Sequence, residues 1–377
     1  MKWTVYYEFA RPFTLVAPAL GFASGALTAV GAAPPELWRP ALLGPPLVGS
    51  IMAATLNAAS NGLNQIYDLE IDRVNKPGRP LPSGRLSRRG AWIFTVISFV
   101  VSFVLAWLVA PAGRHECFWL AFSATCVTAL YSMPPFRTKR LGIWANVTIA
   151  IPRGVLLKVA GWSAVKTIFG LEPWFIGGIF GLFLLGATTT KDFADMEGDR
   201  RDGCRTLPIQ YGVRRAAWMI SPSFVVPFLL IPGGVHAGIL TGDPLLLDVL
   251  SAVLVVYGLY VCYLMLRRPE DLAVEDKCSR SMSKSKRQPS DGPVTVLESS
   301  DPALLAVAKS LLEDAGIEHF AKGEVLQNFF AWGSLGVFNP VAGPVQLQVS
   351  AEDAEEATDL LLDLSRDVTP PEDSSQD

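Results

Sequence analysis

Eight stretches of the chain are apolar over a length that suits a membrane-crossing helix, and the segments between them alternate between strongly basic and nearly uncharged. The stretches lie near residues 12–32, 41–67, 91–111, 116–133, 142–164, 172–190, 215–238 and 244–266. A hydrocarbon core of about 30 Å takes roughly 20 helical residues, so the pattern predicts an all-α transmembrane helical bundle of about eight spans. Gly, Pro and Ser inside several stretches fit this reading, because neighbouring helices re-satisfy a disturbed backbone. The first apolar run begins after Arg11 and Pro12 and continues to spanning length, which reads as a span rather than a cleavable leader.

The polar segments give the orientation. The 68–90 connection holds Arg73, Lys76, Arg79, Arg85, Arg88 and Arg89, the 134–141 connection Arg137, Lys139 and Arg140, and the 191–215 connection Lys191, Arg200, Arg201, Arg205, Arg214 and Arg215. The alternate connections contain only Arg39, Arg114 and Lys166. Cytoplasmic loops carry the excess of positive charge, so both chain ends are expected in the cytoplasm and the protein in the cytoplasmic (inner) membrane. After Arg268 the pattern changes. Residues 269–292 form a polar, basic segment without apolar periodicity, expected to be a flexible linker. Residues 293–298, 317–321 and 344–349 then read as strands, and 302–315 and 351–365 as amphipathic helices. The domain plan is a membrane unit over 1–268, the linker, a small α+β cytoplasmic domain over 293–365 and a disordered tail over 366–377.

Composition strengthens the membrane reading: half of the 377 residues are hydrophobic and 18% are charged, against roughly 25% charged in an ordinary soluble domain. The net charge of −3 averages basic loops with an acidic C-terminal region, and no nucleic-acid partner is expected; membrane lipid is. The five cysteines (Cys117, Cys126, Cys204, Cys262 and Cys278) show no metal-binding spacing and read as packing residues.

Candidate chemistry sits at the basic ends of two apolar stretches. In NGLNQIYDLEIDRVNKPGRPLPSG, Asn64, Asp68 and Asp72 recur every four residues, so three oxygen-bearing side chains share one helical stripe. In KDFADMEGDRRDGCRTLP, Asp192, Asp195 and Asp199 repeat the arrangement at spacings of three and four. Carboxylates near a membrane are costly, about 2.5–3.5 kcal/mol at its centre, so two such clusters point to function. Mg²⁺ takes few carboxylates and completes its shell with water and phosphate oxygens. With Arg73, Lys76, Arg79, Lys139, Lys191 and Arg205 in the same loops, the sites suit a multiply charged anion such as a diphosphate. The positive-inside bias alone accounts for Arg88, Arg89, Arg214 and Arg215. Asp202 and Glu197 fall outside the stripe and read as solvated loop charges.

These residues resemble the UbiA superfamily of intramembrane prenyltransferases, whose motifs are NxxxDxxxD and DxxxD. The resemblance runs from about Arg11 to about Arg268 and includes the opening RP pair, YSMPPFRTKRLG and GDRxxGxRTLP. NQIYDLEIDRVNKP and KDFADMEGD look most like homogentisate-type members, and GRPLPSG also resembles chlorophyll synthases. The resemblance implies that Asn64, Asp68, Asp72, Asp192, Asp195 and Asp199 organise Mg²⁺ around a prenyl diphosphate. Asp68 and Asp195 are then catalytic together with Lys139, which would stabilise the departing diphosphate, and Tyr131, which would lie beside Ser132 near the reacting centre. Arg11, Arg79, Lys191 and Arg205 join Asn64 and Lys139 as diphosphate contacts, Arg11 having an interfacial role as its alternative. Tyr67 and Phe136 are candidates to stabilise an allylic cation.

The implied reaction transfers a prenyl group from its diphosphate to a small acceptor, expected to be aromatic. The metal motifs leave open a glycerol phosphate ether lipid precursor, a chlorophyll-type ring, or a membrane sensor that keeps the diphosphate site. Family members commonly have nine spans where this chain shows eight. Residues 293–365 separately resemble a small bacterial signal-transducing domain, on LLEDAGIEHFAKGE and GPVQLQVSAEDAEEA. His319 has no ligand partner nearby and Asp353, Glu355 and Glu356 suit a helix N-terminus, so a regulatory role, with a cytoplasmic protein partner, is expected there.

Overall fold

The structure, a computed structural model, describes residues 2–33, 43–194, 196–201, 203–273, 294–299, 302–322, 345–350 and 352–366. It divides into two compact units, Met1–Leu272 and Ala273–Asp377. In the first, the helices are α1 (Lys2–Ala10), α2 (Val16–Gly31), α3 (Gly44–Tyr67), α4 (Leu69–Asn75), α5 (Arg88–Leu108), α6 (Glu116–Ser132), α7 (Ile143–Ala150) and α8 (Leu157–Ser163). They continue as α9 (Glu172–Ala187), α10 (Thr190–Ala194), α11 (Met196–Arg201), α12 (Leu207–Tyr211), α13 (Val213–Ile220), α14 (Val226–His236) and α15 (Pro244–Arg267). A single wide π turn, Ile151–Leu156, joins α7 to α8.

Helix runs through each of the eight apolar stretches, but the count of eight spans is not confirmed. Among the described residues five helices are both long and apolar enough to cross a membrane: Arg88–Leu108, Ile143–Ser163, Glu172–Phe193, Val213–His236 and Pro244–Arg267. A sixth is added if Trp3–Thr14 and Val16–Gly31, bent by 49°, count as one. Two stretches fall short for different reasons. α6 has only 17 residues, whereas α3 has 24 but carries Asn57, Asn61, Asn64 and Gln65 on its length.

The distribution of side-chain size fits lipid as the solvent. On α5, Ile93, Val96, Ile97, Val100 and Val104 point outward, as do Val249, Leu250, Val253 and Val256 on α15. Small residues fill the interior, with Ala26, Ala53, Ala106, Ala121 and Ala160 buried beside Phe22 and Met52. Where apolar burial drives no association, close backbone packing must do so. At the α2–α8 crossing, a Cβ on Gly161 would stand 2.2 Å from the Phe22 carbonyl oxygen, and one on Gly25 would stand 2.5 Å from that of Lys158. Both positions therefore exclude any side chain.

The second unit contains β1 (Val294–Ser299), β2 (His319–Lys322) and β3 (Val345–Val349) in one antiparallel sheet, with β3 in the centre. Alternation places Val345, Leu347 and Val349 on the buried face. There Leu347 and Val349 pack with Leu312 from helix Pro302–Asp314 and Ala357 and Leu361 from helix Ala354–Arg366. The α+β expectation agrees with these elements. Most of the expected linker and all of the tail beyond Arg366 lie outside the described residues.

Candidate active site

The polar face of α3 organises the site. Near its middle, amide side chains capture the turn between α1 and α2: Asn57 Nδ2 donates to the Thr14 carbonyl at 3.0 Å, Asn61 Nδ2 to Thr14 Oγ1 at 2.8 Å, and Gln65 Nε2 to the Phe9 carbonyl at 2.9 Å. In that turn Arg11 adopts the left-handed conformation, φ 58°, uncommon for a residue with a Cβ. The Thr14 hydroxyl donates to its carbonyl at 2.7 Å. The Arg11 guanidinium lies 5.6 Å from the centre of the Phe13 ring.

Further along α3 the stripe becomes acidic. Asn64 Oδ1 accepts a long bond of 3.4 Å from the Ser132 hydroxyl. Asp68 occupies the bend between α3 and α4, with φ −98° and ψ 11°. The helical ladder nevertheless crosses the bend, since Asp68 N–H donates to Asn64 and Asp72 N–H to Asp68 at 2.9 and 2.8 Å. The four-residue spacing thus keeps its meaning through the break.

Cations from two connections meet these carboxylates. Asp68 accepts from Arg137 Nη2 at 3.1 Å and pairs with the Lys139 ammonium. Asp72, buried, accepts from Arg79 Nη1 at 2.6 Å. Arg137, like Arg11, is left-handed, with φ 40°, and its buried Nε has no hydrogen-bond partner among the described residues. Around the first motif three cations thus face two carboxylates.

The second cluster approaches from α10 and α11. Asn146 on α7 donates to the Leu185 carbonyl at 3.2 Å and to the Thr189 hydroxyl, fixing the end of α9 just before Lys191 and Asp192. Tyr131 lies within electrostatic range of Asp68 from the first motif and of Lys191 and Asp192 from the second. Asp199 is partly buried on α11; Asp195 lies outside the described residues. The backbone of Arg205 is docked onto the 134–141 connection, its N–H donating to the Arg140 carbonyl at 3.3 Å. Gly142, with φ 61°, lies so close that a Cβ would stand 2.8 Å from the Arg205 oxygen. The Arg205 side chain itself is exposed. Among the described residues, no three His, Cys, Asp or Glu side chains are gathered closely enough to hold a metal ion.

Sequence reasoning did not single out Arg137, Asn57, Asn61 or Arg153. Arg153, on the π turn, donates to Asn57 Oδ1 at 3.3 Å. Its signal was available: an arginine inside an apolar run is a functional candidate by default.

The chain's relatives agree with this architecture. The UbiA prenyltransferase family matches residues 15–282, and a second family, described as "Putative prokaryotic signal transducing protein", matches 294–365. The bacteriochlorophyll synthase 33 kDa chain of Cereibacter sphaeroides is 32% identical over 62% of this chain and 77% of its own length. Homogentisate solanesyltransferase of Arabidopsis thaliana is 33% identical over 59% of this chain, a match that spans 58% of that enzyme. Digeranylgeranylglyceryl phosphate synthase of Thermococcus gammatolerans is 30% identical over 72% of this chain and 90% of its own. Among solved structures, a UbiA homologue from Archaeoglobus fulgidus bound to GPP and Mg²⁺ superposes with a TM-score of 0.57 at 21% identity, covering 70% of this chain and 88% of that one. At that identity the likeness speaks for the fold. With its helical bundle, its two aspartate motifs and a family match across most of its length, the chain belongs to the UbiA prenyltransferase family.

Proposed function

We propose that this protein transfers a prenyl group from a prenyl diphosphate to an aromatic acceptor, as a Mg²⁺-dependent step in quinone or related isoprenoid-lipid synthesis. The observation that carries this reading is the gathering of Lys139 and Arg137 on Asp68 and of Arg79 on Asp72, the two aspartates of the first motif.

The donor set fits Mg²⁺: Asn64, Asp68, Asp72, Asp192 and Asp199 are hard oxygen donors, the class this ion prefers, with Asp195 the sixth candidate of the same kind. When bound, the metal neutralises charge on the diphosphate as it leaves. Lys139 and Arg79 supply charge-assisted hydrogen bonds to the same oxygens, exchanging carboxylate partners for phosphate ones. Lys191, Arg205 and Arg11 are the further diphosphate contacts in this reading. As the allylic C–O bond breaks, the fixed cations stabilise the leaving group without reorganisation, and the electron-rich acceptor attacks the carbon. Tyr131, with Ser132 beside it, faces that carbon. An apolar interior excludes water that would otherwise capture the cation.

In this reading the site and both chain ends face the cytoplasm, supported by the excess of Lys and Arg in the connections that carry the motifs. The small C-terminal domain then stands on that side as a regulatory module that meets a protein partner. The test is incubation of membranes with prenyl diphosphates of several chain lengths and a panel of phenolic, glycerol phosphate ether and chlorophyll-type acceptors, read by mass spectrometry. A prenylated phenol is the expected product; product only on a non-phenolic acceptor overturns the aromatic assignment.

A further inference from the structure

Charged residues that prenyl transfer does not use gather at the other end of the bundle. The connections there hold three basic residues, Arg39, Arg114 and Lys166, on the side from which the charge bias removes them. Two of the three, Arg114 and Lys166, line one cavity of about 760 Å³. Helix α5, 21 residues long, runs from the connection that follows Asp72 to the one that holds Arg114. The cavity therefore stands about 30 Å from the aspartates of the first motif.

Four connections build its walls. Ala33 follows α2, Arg114 lies between α5 and α6, Lys166 between α8 and α9, and residues 237–241 between α14 and α15. The protein's own bonds tie them together: Ala33 N–H donates to the Thr241 hydroxyl at 2.7 Å, and Lys166 Nζ to the Ala32 carbonyl at 2.5 Å. The two carboxylates at this end are held by neutral donors. Glu172 accepts from Thr241 N–H at 2.8 Å and from its hydroxyl at 2.9 Å. Glu116 accepts from the Thr167 hydroxyl at 2.8 Å and from Ile168 N–H at 3.1 Å.

Arg114 is not held in that way. Its Nε stands 3.7 Å from Glu116 Oε1, beyond hydrogen-bond reach. That Nε is buried and makes no hydrogen bond among the described residues, while the side chain as a whole is 33% exposed. A guanidinium with its fork unspent matches a carboxylate or phosphate held by two parallel bonds. The opposite wall is apolar, with Trp162, Val165 and Ile239, and suits a ligand that carries hydrocarbon. The ends of spanning helices also lie at the level of lipid headgroups. A phosphate at the junction of a polar head and acyl chains meets all three demands.

We propose that this cavity binds a phosphate group carried by a membrane phospholipid, with Arg114 supplying the fork and Lys166 a second positive charge. The site is separate from prenyl transfer and does not depend on that reading. Its occupant joins four connections at once, so binding stabilises the folded bundle by mass action.

The test uses the full-length protein, stripped of lipid in detergent. It is titrated with phosphatidylglycerol and with diacylglycerol of the same acyl chains, which lacks the phosphate. Native mass spectrometry counts bound lipid, and scanning fluorimetry follows the thermal midpoint. Wild type is expected to hold phosphatidylglycerol roughly tenfold or more tighter than diacylglycerol, and to gain thermal stability from it. Arg114→Gln should remove most of that preference, and Arg114→Lys should restore part of it by keeping the charge without the fork. Arg214→Gln, at an exposed cation on α13, should leave it unchanged, which separates the cavity from the basic loops. Should Arg114→Gln fail to fold, Lys166→Gln reads the same ratio, since its amide still donates to the Ala32 carbonyl. Equal binding of the two lipids by wild type, or an unaltered preference in the folded variants, overturns the proposal. Inorganic phosphate forms a further arm. Stabilisation of wild type and not of Arg114→Gln by phosphate, with none by phosphatidylglycerol, overturns the lipid as carrier and makes the free anion the ligand.

Discussion

Replacing Asp68 by Asn separates the ion-pair role that the structure shows for this carboxylate from the metal-binding role proposed for it. The side chain is 13% exposed and faces Arg137 and Lys139, which are 21% and 10% exposed. Breaking a fully buried pair by removing one partner costs about 3–5 kcal/mol, and breaking an exposed pair costs about 0–1 kcal/mol. At this intermediate burial, and with the amide oxygen of Asn still able to accept from Arg137, we expect a loss of about 2 kcal/mol. For a unit of this size each kcal/mol moves Tm by about 2 °C or somewhat more, so the midpoint in detergent should fall by about 4 °C. Turnover should fall much further, by about 100-fold or more, if the proposed metal-binding oxygen has lost its charge. Scanning fluorimetry and product formation at saturating Mg²⁺ read the two effects independently. A lowered Tm with near-normal turnover would reduce Asp68 to a structural ion-pair partner, and an unchanged Tm would contradict the pairing itself.

The helix crossing and the C-terminal domain give further tests. Gly161→Val must force α2 from α8, since even a Cβ would lie 2.2 Å from the Phe22 oxygen; loss of the folded, detergent-stable protein is expected, and a Tm within about 2 °C of wild type would refute the close crossing. Deleting residues 293–377 should leave basal transfer intact, because every candidate ligand precedes Arg268; an inserted but inactive truncation would show that the small domain completes the site. Reporter fusions at Asp377 should fluoresce as cytoplasmic fusions do, whereas alkaline phosphatase activity there would place the tail outside and revise the orientation.

Apolar runs, basic loops and the spacing of the aspartates were legible in the chain because each reflects a local rule: spanning length, charge retention and helical periodicity. The number of spans was less so. α3 reads as apolar enough by eye, yet its amide ladder of Asn57, Asn61 and Gln65 is spent on holding the Phe9–Thr14 turn, a tertiary use that no window of sequence reveals. The partners of the carboxylates were hidden for the same reason. Lys139 was singled out and Arg137 was not, although both reach Asp68, because nothing in the local sequence marks the left-handed backbone at Arg137. Arg153 was missed by treating the 142–164 stretch as uniformly apolar.

The central claim is that one positively charged, metal-assisted site ionises a prenyl diphosphate and delivers its prenyl group to an acceptor inside the bundle. Purified protein given geranyl diphosphate and homogentisate, with Mg²⁺ or with a chelator, tests this most directly by mass spectrometry of the products. The account predicts a prenylated acid and released diphosphate in equal amounts, only with Mg²⁺ present. Equal product yield in the chelated sample, or diphosphate release from the Asp68→Asn variant at the wild-type rate, would contradict it.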